Sequence, residues 1–274
     1  LPPLPDQRAI AAVLGSLDDK IEQNRRTARA LERLARAIFR AWFVDFEPVK
    51  AKAAGAASFP SMPQDVFDAL PTTFTDSDFG PLPEGWSTAP LSSIGRFLNG
   101  LALQKFPPTG DGSDLPVIKI AELRKGSSAN ADLANASIPP EYIIDDGDLV
   151  FSWSGTLEAV FWFGGRGALN QHLFKVTSAE YPLWWCLRWI EHHLPWFRTI
   201  ASSKATTMGH IKRGHLDEAK VVVPSPQALR AADELIDPLI QQFSNLQVET
   251  RQLAALRDYL LPQLLDGQVP VEVA

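Results

Sequence analysis

The chain has 274 residues, a formal net charge of −6, 45% hydrophobic residues and one cysteine, Cys186. That length holds one large domain or two moderate units, and the composition is that of an ordinary folded protein. No run of about 18 apolar residues offers a membrane span, no segment reads as a signal peptide, a lone cysteine forms no internal disulfide, and an acidic balance argues against a general nucleic-acid coat while leaving room for a local basic patch.

Ile10, Leu14, Leu17, Ile21, Asn24, Ala28, Leu31, Ala35, Ile38 and Trp42 recur at alternating spacings of four and three. This heptad seam predicts a coiled-coil helix over residues 6–46. Asn24 is a polar residue on that seam, a device that fixes register and partner. Residues 51–85 shift to Pro, Ala, Ser, Thr and Asp and predict an ordered but irregular connector, pinned to a neighbouring surface by its aromatic residues. From residue 86 to 224 the pattern is mixed. "LPVIKI", "DLVFSWS", "AVFWF", "HLFKV" and "KVVV" predict short strands, and "YPLWWCLRWIEHHLPWF" predicts a buried helix that makes Cys186 a small buried residue. A second heptad helix is predicted over residues 226–265, its seam running through Ala232, Ile236, Leu239, Phe243, Leu246, Thr250, Leu253, Leu260 and Leu264, with Arg257 interrupting it. The two seams match position for position and have similar lead-ins, "PPLPDQRAIA" and "VPSPQALRAA". A duplicated helix on either side of a globular insert implies an antiparallel return, each helix about 60 Å long at 1.5 Å per residue. The fold class is therefore α+β: a helix over 1–50, a connector over 51–85, a mixed globular domain over 86–224 and a helix over 225–274.

The sequence carries no evident catalytic machinery. It lacks a G-x-x-x-x-G-K-[ST] loop, and "GGRG" at 164–167 lacks dinucleotide-binding spacing. "SWSG" is not a nucleophile elbow, and Ser154 has no evident His or Asp partner. "SIPPEY" lacks the polar residue of an amino-methyltransferase motif, and "EAK" at 218–220 lacks the upstream half of a nuclease motif. The histidines match no zinc spacing; His192 and His193 read as solvated helix-end residues. No catalytic or metal-ligating set is predicted. Charge is more informative. Residues 199–216 contain no acid but carry Lys204, Lys212 and Arg213 among Ser, Thr and Gly; residues 161–177 contain no acid but carry Arg166, Asn170, Gln171, His172 and Lys175; Lys119, Arg124 and Lys125 form a third cluster. Each alone also describes a solvated loop. Together they suit phosphate contact and, through Asn, Gln and Arg, base-edge contact.

The segments "LPPLPDQRAIAAVLGSLDDKIEQNRR", "LARAIFRAWFVDFEPVKAKAAG", "GPLPEGW", "GDLVFSWSGT", "ALNQHLFKV" and "TTMGHIKRGHLDEAKVVVPSP", with the closing helix, resemble the specificity subunit of type I restriction–modification systems. "WFVDFEPV" and "LPEGW" carry the resemblance most specifically. It implies a non-catalytic subunit in which two target recognition domains, joined by two long antiparallel helices, each read half of a split DNA site. The helices set the gap and dock the modification subunits. The chain resembles the second half of that plan: spacer helix, one recognition domain over 86–224, returning helix. The seam would run through Ile10, Leu14, Leu17, Ile21, Asn24, Leu31, Ile38, Leu239, Phe243, Leu246, Leu253 and Leu260. A helix pair of about 60 Å would act as a ruler over nearly two DNA turns of about 34–36 Å. The implied DNA contacts are Lys105, Lys119, Arg124, Lys125, Ser154, Thr156, Arg166, Lys204, Thr207, His210, Lys212 and Arg213. Implied partners are double-stranded DNA, modification subunits, the restriction subunit through them, and a second copy if the chain is a natural half-subunit; no membrane is involved. S-adenosylmethionine, ATP and Mg are expected on the partner subunits and no cofactor on this chain, in the cytoplasm. The competing reading is a coiled-coil scaffold or adaptor whose globular domain binds protein, which the negative net charge favours.

Overall fold

The computed structural model describes residues 2–77, 80–203 and 209–270. Helix α1 (Leu4–Phe43) is followed by α2 (Glu47–Ala53), α3 (Gln64–Ala69) and a hairpin of β1 (Phe74–Thr75) and β2 (Leu82–Pro83). Strands β3 (Ser87–Pro90), β4 (Arg96–Asn99) and β5 (Leu115–Ile118) lead to α4 (Ile120–Lys125). Then come β6 (Leu133–Ala134), β7 (Ile143–Ile144), β8 (Leu149–Ser152), β9 (Ala159–Phe161), β10 (Gly167–Leu169) and β11 (Leu173–Thr177). The chain closes with α5 (Leu183–Ser203), α6 (Arg213–Glu218), β12 (Lys220–Val223) and α7 (Pro226–Leu265). The class is α+β, with a long helix near each end of the chain. Two compact units divide it: residues 1–34 with 238–274, and residues 35–237.

In the first unit the two helices run antiparallel, because successive contacts climb one and descend the other. Arg257 Nη1 lies 2.7 Å from Asp18 Oδ1, and Asn24 Nδ2 donates to Glu249 Oε2 at 2.9 Å. Lys20 Nζ also lies 3.5 Å from Glu249 Oε1. Ile10, Ile21, Asn24 and Ala28 are buried on α1, and Leu246 and Leu264 on α7. Leu14, Leu17, Leu31, Leu239, Phe243, Leu253 and Leu260 are half-buried. Arg257, which breaks the apolar series, uses its guanidinium to bind Asp18 and Asp258 across and along the pair.

In the second unit the last turns of α1 bury Ala35, Phe39, Trp42 and Phe43, while Ile38 is only half-buried. The seam positions Ala35 and Trp42 stay buried and the stripe widens to take in Phe39 and Phe43, because its partner here is a globular core. Phe39 meets Trp185 and Trp189 of α5 edge-on at 5.7 and 5.2 Å, and Phe43 meets Trp185 at 4.8 Å. The predicted helix end at 46 falls short at Phe43. Pro48 cannot sit in a helix interior, so the chain turns through Phe46 in the left-handed region (φ 52°, ψ 35°) and restarts as α2. The connector is more regular than predicted. Lys52 Nζ donates to the carbonyls of Asp68 and Leu70, and Val66, Phe67 and Leu70 are buried beneath.

The domain holds two four-stranded sheets, ordered β4-β11-β8-β9 and β6-β5-β10-β7, and a β12-β3 ribbon. All four residues of β8 are buried. Alternation along the strand sends Phe151 toward Phe197 of α5 at 6.1 Å and Val150 into a cluster with Ile118, Trp162, Leu169 and Leu173. The sheets approach closely at Gly100, where a Cβ would stand 2.3 Å from the Asn170 carbonyl oxygen. Only glycine fits that position.

Candidate nucleic-acid interface

The described part of the 199–216 segment is fixed by the strand that ends at Ser152. Gly155 N donates to Gly209 O at 2.9 Å, Ile211 N donates to Trp153 O at 3.0 Å, and Ser154 bridges His210. Ile211 and Leu216 are buried and anchor this strap, while Lys212 and Arg213 remain exposed. Lys212 N donates to His215 Nδ1 at 3.0 Å and starts α6, which fixes where the two cations sit. Beside them opens a cleft of about 330 Å³ lined by Asn99, Trp153, Phe174, His210, Ile211, Lys212 and Arg213, with no acid among the described residues that line it.

The cleft is built from β4, the end of β8, β11 and the strap. Trp153 is held by a hydrogen bond from its Nε1 to Asn99 Oδ1 at 2.8 Å and lies 5.8 Å from the His172 ring and 6.0 Å from Phe174. His172 is held in turn by Ser154, Oγ to Nδ1 at 3.0 Å. Arg213 donates to the Phe97 carbonyl at 2.9 Å, its guanidinium 5.5 Å from the Phe174 ring centre. This cation is therefore presented in one orientation, whereas Lys212 extends from the surface.

Two sequence expectations need correction here. Ser154 has a histidine partner after all, His172 in the β10–β11 turn, too far along the chain for a local motif to show. It is also 2% exposed, so its hydroxyl holds His172 rather than facing a ligand. Among the described residues no carboxylate bonds His172, which leaves the pair without the third member of a hydrolytic triad. His192 and His193 lie within α5, not at its end. His193 Nε2 is 2.7 Å from Lys220 O, and burial pushes its imidazole down to about 4.

The remaining expected contacts are scattered. Thr156 is exposed on the β8–β9 turn, next to the strap. Arg124 and Lys125 are exposed at the end of α4, where cations suit the helix C-terminus. Arg124 and Arg198 draw the Glu158 carboxyl down, but burial outweighs them and its pKa is raised. Lys119 is paired with Asp132, and Arg166 Nη1 stands 3.7 Å from Asp145 Oδ1. Lys105 is exposed beyond β4. Lys204 and Thr207 lie outside the described residues. Within the acid-free 161–177 segment, Lys175 binds Asp148 at 2.7 Å and the Ile143 carbonyl, and Asn170 is buried. Of the described candidates, the structure gathers His210, Lys212 and Arg213, with Ser154 behind them and Thr156 on the adjoining turn, and leaves Lys105, Lys119, Arg124, Lys125 and Arg166 apart. Sequence reasoning passed over Asn99, Trp153 and Phe174. The available signal was Trp153, an indole at the polar end of a strand, where a ring at a mouth or edge is expected to find a partner for its N–H.

Cys186 is fully buried, and burial pushes its thiol up to about 12, which makes it inert. Among the described residues no three His, Cys, Asp or Glu side chains converge as metal ligands, and no helix is long and apolar enough to cross a membrane.

A long helix near each end of the chain and, between them, a mixed domain carrying a cationic strap define an α+β protein of helix–domain–helix plan. The crystal structure of the type I restriction–modification system S subunit from M. genitalium shares the fold, with a TM-score of 0.53 and 16% identity, covering 94% of this chain and 60% of that one. The model of the type I restriction modification DNA specificity domain matches residues 83–257, so the chain belongs to that family. It is 23% identical, over 98% of its own length and 68% of the relative's, to the specificity subunit of the Haemophilus influenzae type I restriction enzyme HindI. It is 25% identical, over 97% of its length and 59% of the relative's, to the MjaIX specificity subunit of Methanocaldococcus jannaschii. The chain thus spans roughly three fifths to two thirds of these three proteins.

Proposed function

We propose that this chain reads one half of a bipartite DNA site and holds modification subunits beside it, without itself catalysing a reaction. The observation that carries this reading is the acid-free cleft at the strap, where Lys212 and a pinned Arg213 offer fixed positive charge within a protein whose net charge is −6. Cations placed this way contact phosphate and set orientation. Residues 86–224 act as the recognition domain and residues 51–85 as its connector. The antiparallel helices serve as a rigid spacer, and exposed Leu256, Tyr259 and Leu261 offer apolar surface to protein partners. In this reading S-adenosylmethionine, ATP and Mg belong to the modification and restriction subunits, the assembly works in the cytoplasm, and a chain acting as a half-subunit completes its site by pairing with a second copy.

The test is selection from randomised duplexes with the chain and its modification subunits. Enrichment of one short motif is the expected result. Stable assembly with the modification subunits and no enriched motif would overturn the reading and leave the protein-binding adaptor. The chain alone, given S-adenosylmethionine and duplex DNA, is expected to methylate nothing.

A further inference from the structure

We propose that the Trp153 cleft is a nucleotide site: it takes one aromatic base on the Trp153 ring, with the adjoining phosphate against Lys212 and Arg213. The inference rests on the DNA reading above and goes beyond it, since phosphate contact alone needs no aromatic cleft. Three observations carry it. The first is size: about 330 Å³ lies at the small end of the range for ligand clefts, about 300–1,000 Å³, and suits one small planar ligand rather than a helix or peptide. The second is the fixing of the platform. The Trp153 indole is tied to Asn99 at 2.8 Å, backed by Phe174 with 35° between the rings and flanked by His172, itself held by Ser154. A half-buried tryptophan needs none of this to fill space, whereas a stacking surface needs its plane set. The third is charge: the described lining contains cations and no carboxylate. Aromatic platforms beside cations are the general means of holding unstacked bases.

The base has two sources. One is a nucleotide of the bound duplex drawn out of the stack, which is easiest where pairing is already weak. The other is a free nucleotide. The binding chemistry is the same, and the source is separable by experiment.

Binding of the full chain, alone and with its modification subunits, is measured for two duplexes of one sequence. One is fully paired; the other carries a single bulged 2-aminopurine. Stacking on one aromatic ring predicts that the bulged duplex binds about 5- to 140-fold more tightly, with quenched 2-aminopurine emission. Trp153→Leu brings the ratio of the two affinities to about one, and a thermal melt confirms that the variant folds. Lys212→Gln provides a second variant at an exposed position and weakens the bulged duplex. Adenosine monophosphate alone is the other probe. Saturable binding that Trp153→Leu abolishes, with no bulge preference, supports the site and assigns it to a free nucleotide. A ratio of one in the unmodified chain, no quenching and no binding of adenosine monophosphate, while the paired duplex still binds, overturns the nucleotide site and leaves the DNA reading standing. Binding to neither duplex overturns the DNA reading, and absence of adenosine monophosphate binding as well overturns both.

Discussion

Lys212 and Arg213 are adjacent in sequence but should respond differently to neutralisation. Lys212 is exposed, so Lys212→Gln removes charge and little else. If it neutralises one phosphate, the slope of log affinity against log salt becomes shallower by about 0.9, which is about a fivefold loss at 0.15 M salt relative to 1 M. Arg213→Gln removes the same charge and also the hydrogen bond to the Phe97 carbonyl at 2.9 Å and the contact with the Phe174 ring. For a partly exposed guanidinium these are worth about 1–2 kcal/mol together, or a fall of about 2–4 °C in Tm for each kcal/mol. Fluorescence anisotropy on a 30-base-pair duplex across a salt series, with thermal melts of each protein, reads both quantities. Arg213→Gln should lower both salt slope and Tm, and Lys212→Gln the slope alone. A Lys212→Gln slope equal to that of the parent would refute the phosphate role. An unchanged Tm in Arg213→Gln would refute the argument that this side chain is pinned.

Two further outcomes follow from the interior. Asn24→Leu should cost about 1 kcal/mol, near the low end for a bond to a charged group, because the Glu249 side chain is 42% exposed and can rehydrate; the double variant Asn24→Leu/Glu249→Leu should recover that loss, and strictly additive denaturation energies in the cycle would count against it. His193 is held neutral in the fold, with its pKa lowered from 6.5 to about 4. Its contribution is therefore complete above pH 6.5 and is lost as the pH falls toward 4, while the unfolded chain takes up the proton first, by up to about 3 kcal/mol. Urea midpoints from pH 7.5 to 4.5 should fall less steeply in His193→Gln, and superimposable profiles would dismiss the effect.

The long helices were legible because a heptad is a local signal repeated many times. Leu149–Ser152 and Leu173–Thr177 were legible as strands for the same reason: short apolar runs bounded by turn residues. The cleft was not legible. Asn99, Trp153, Phe174 and Arg213 come from four separate stretches and meet only when β4, β11 and β8 pair. Ser154 was a candidate DNA contact, yet the fold buries it with its hydroxyl on His172. Counting charge located the strap but not the pairing of Lys119, Arg166 and Lys175 with acids distant in sequence. Composition did not show the helix Gln64–Ala69 or the lysine that ties the connector's backbone down.

The turn at Phe46 has a consequence for anyone exchanging parts between such chains. Its ring meets Trp86 at 5.8 Å and Phe74 at 6.3 Å, and Trp86 also meets Phe43 at 6.0 Å. A graft that begins at residue 86 therefore brings half of a clasp whose other half stays with the recipient helix. Splices placed ahead of Ala35 and behind Asp237 would carry the whole aromatic joint as cargo, and should yield folded chimeras where a cut at the apparent domain edge yields loose ones.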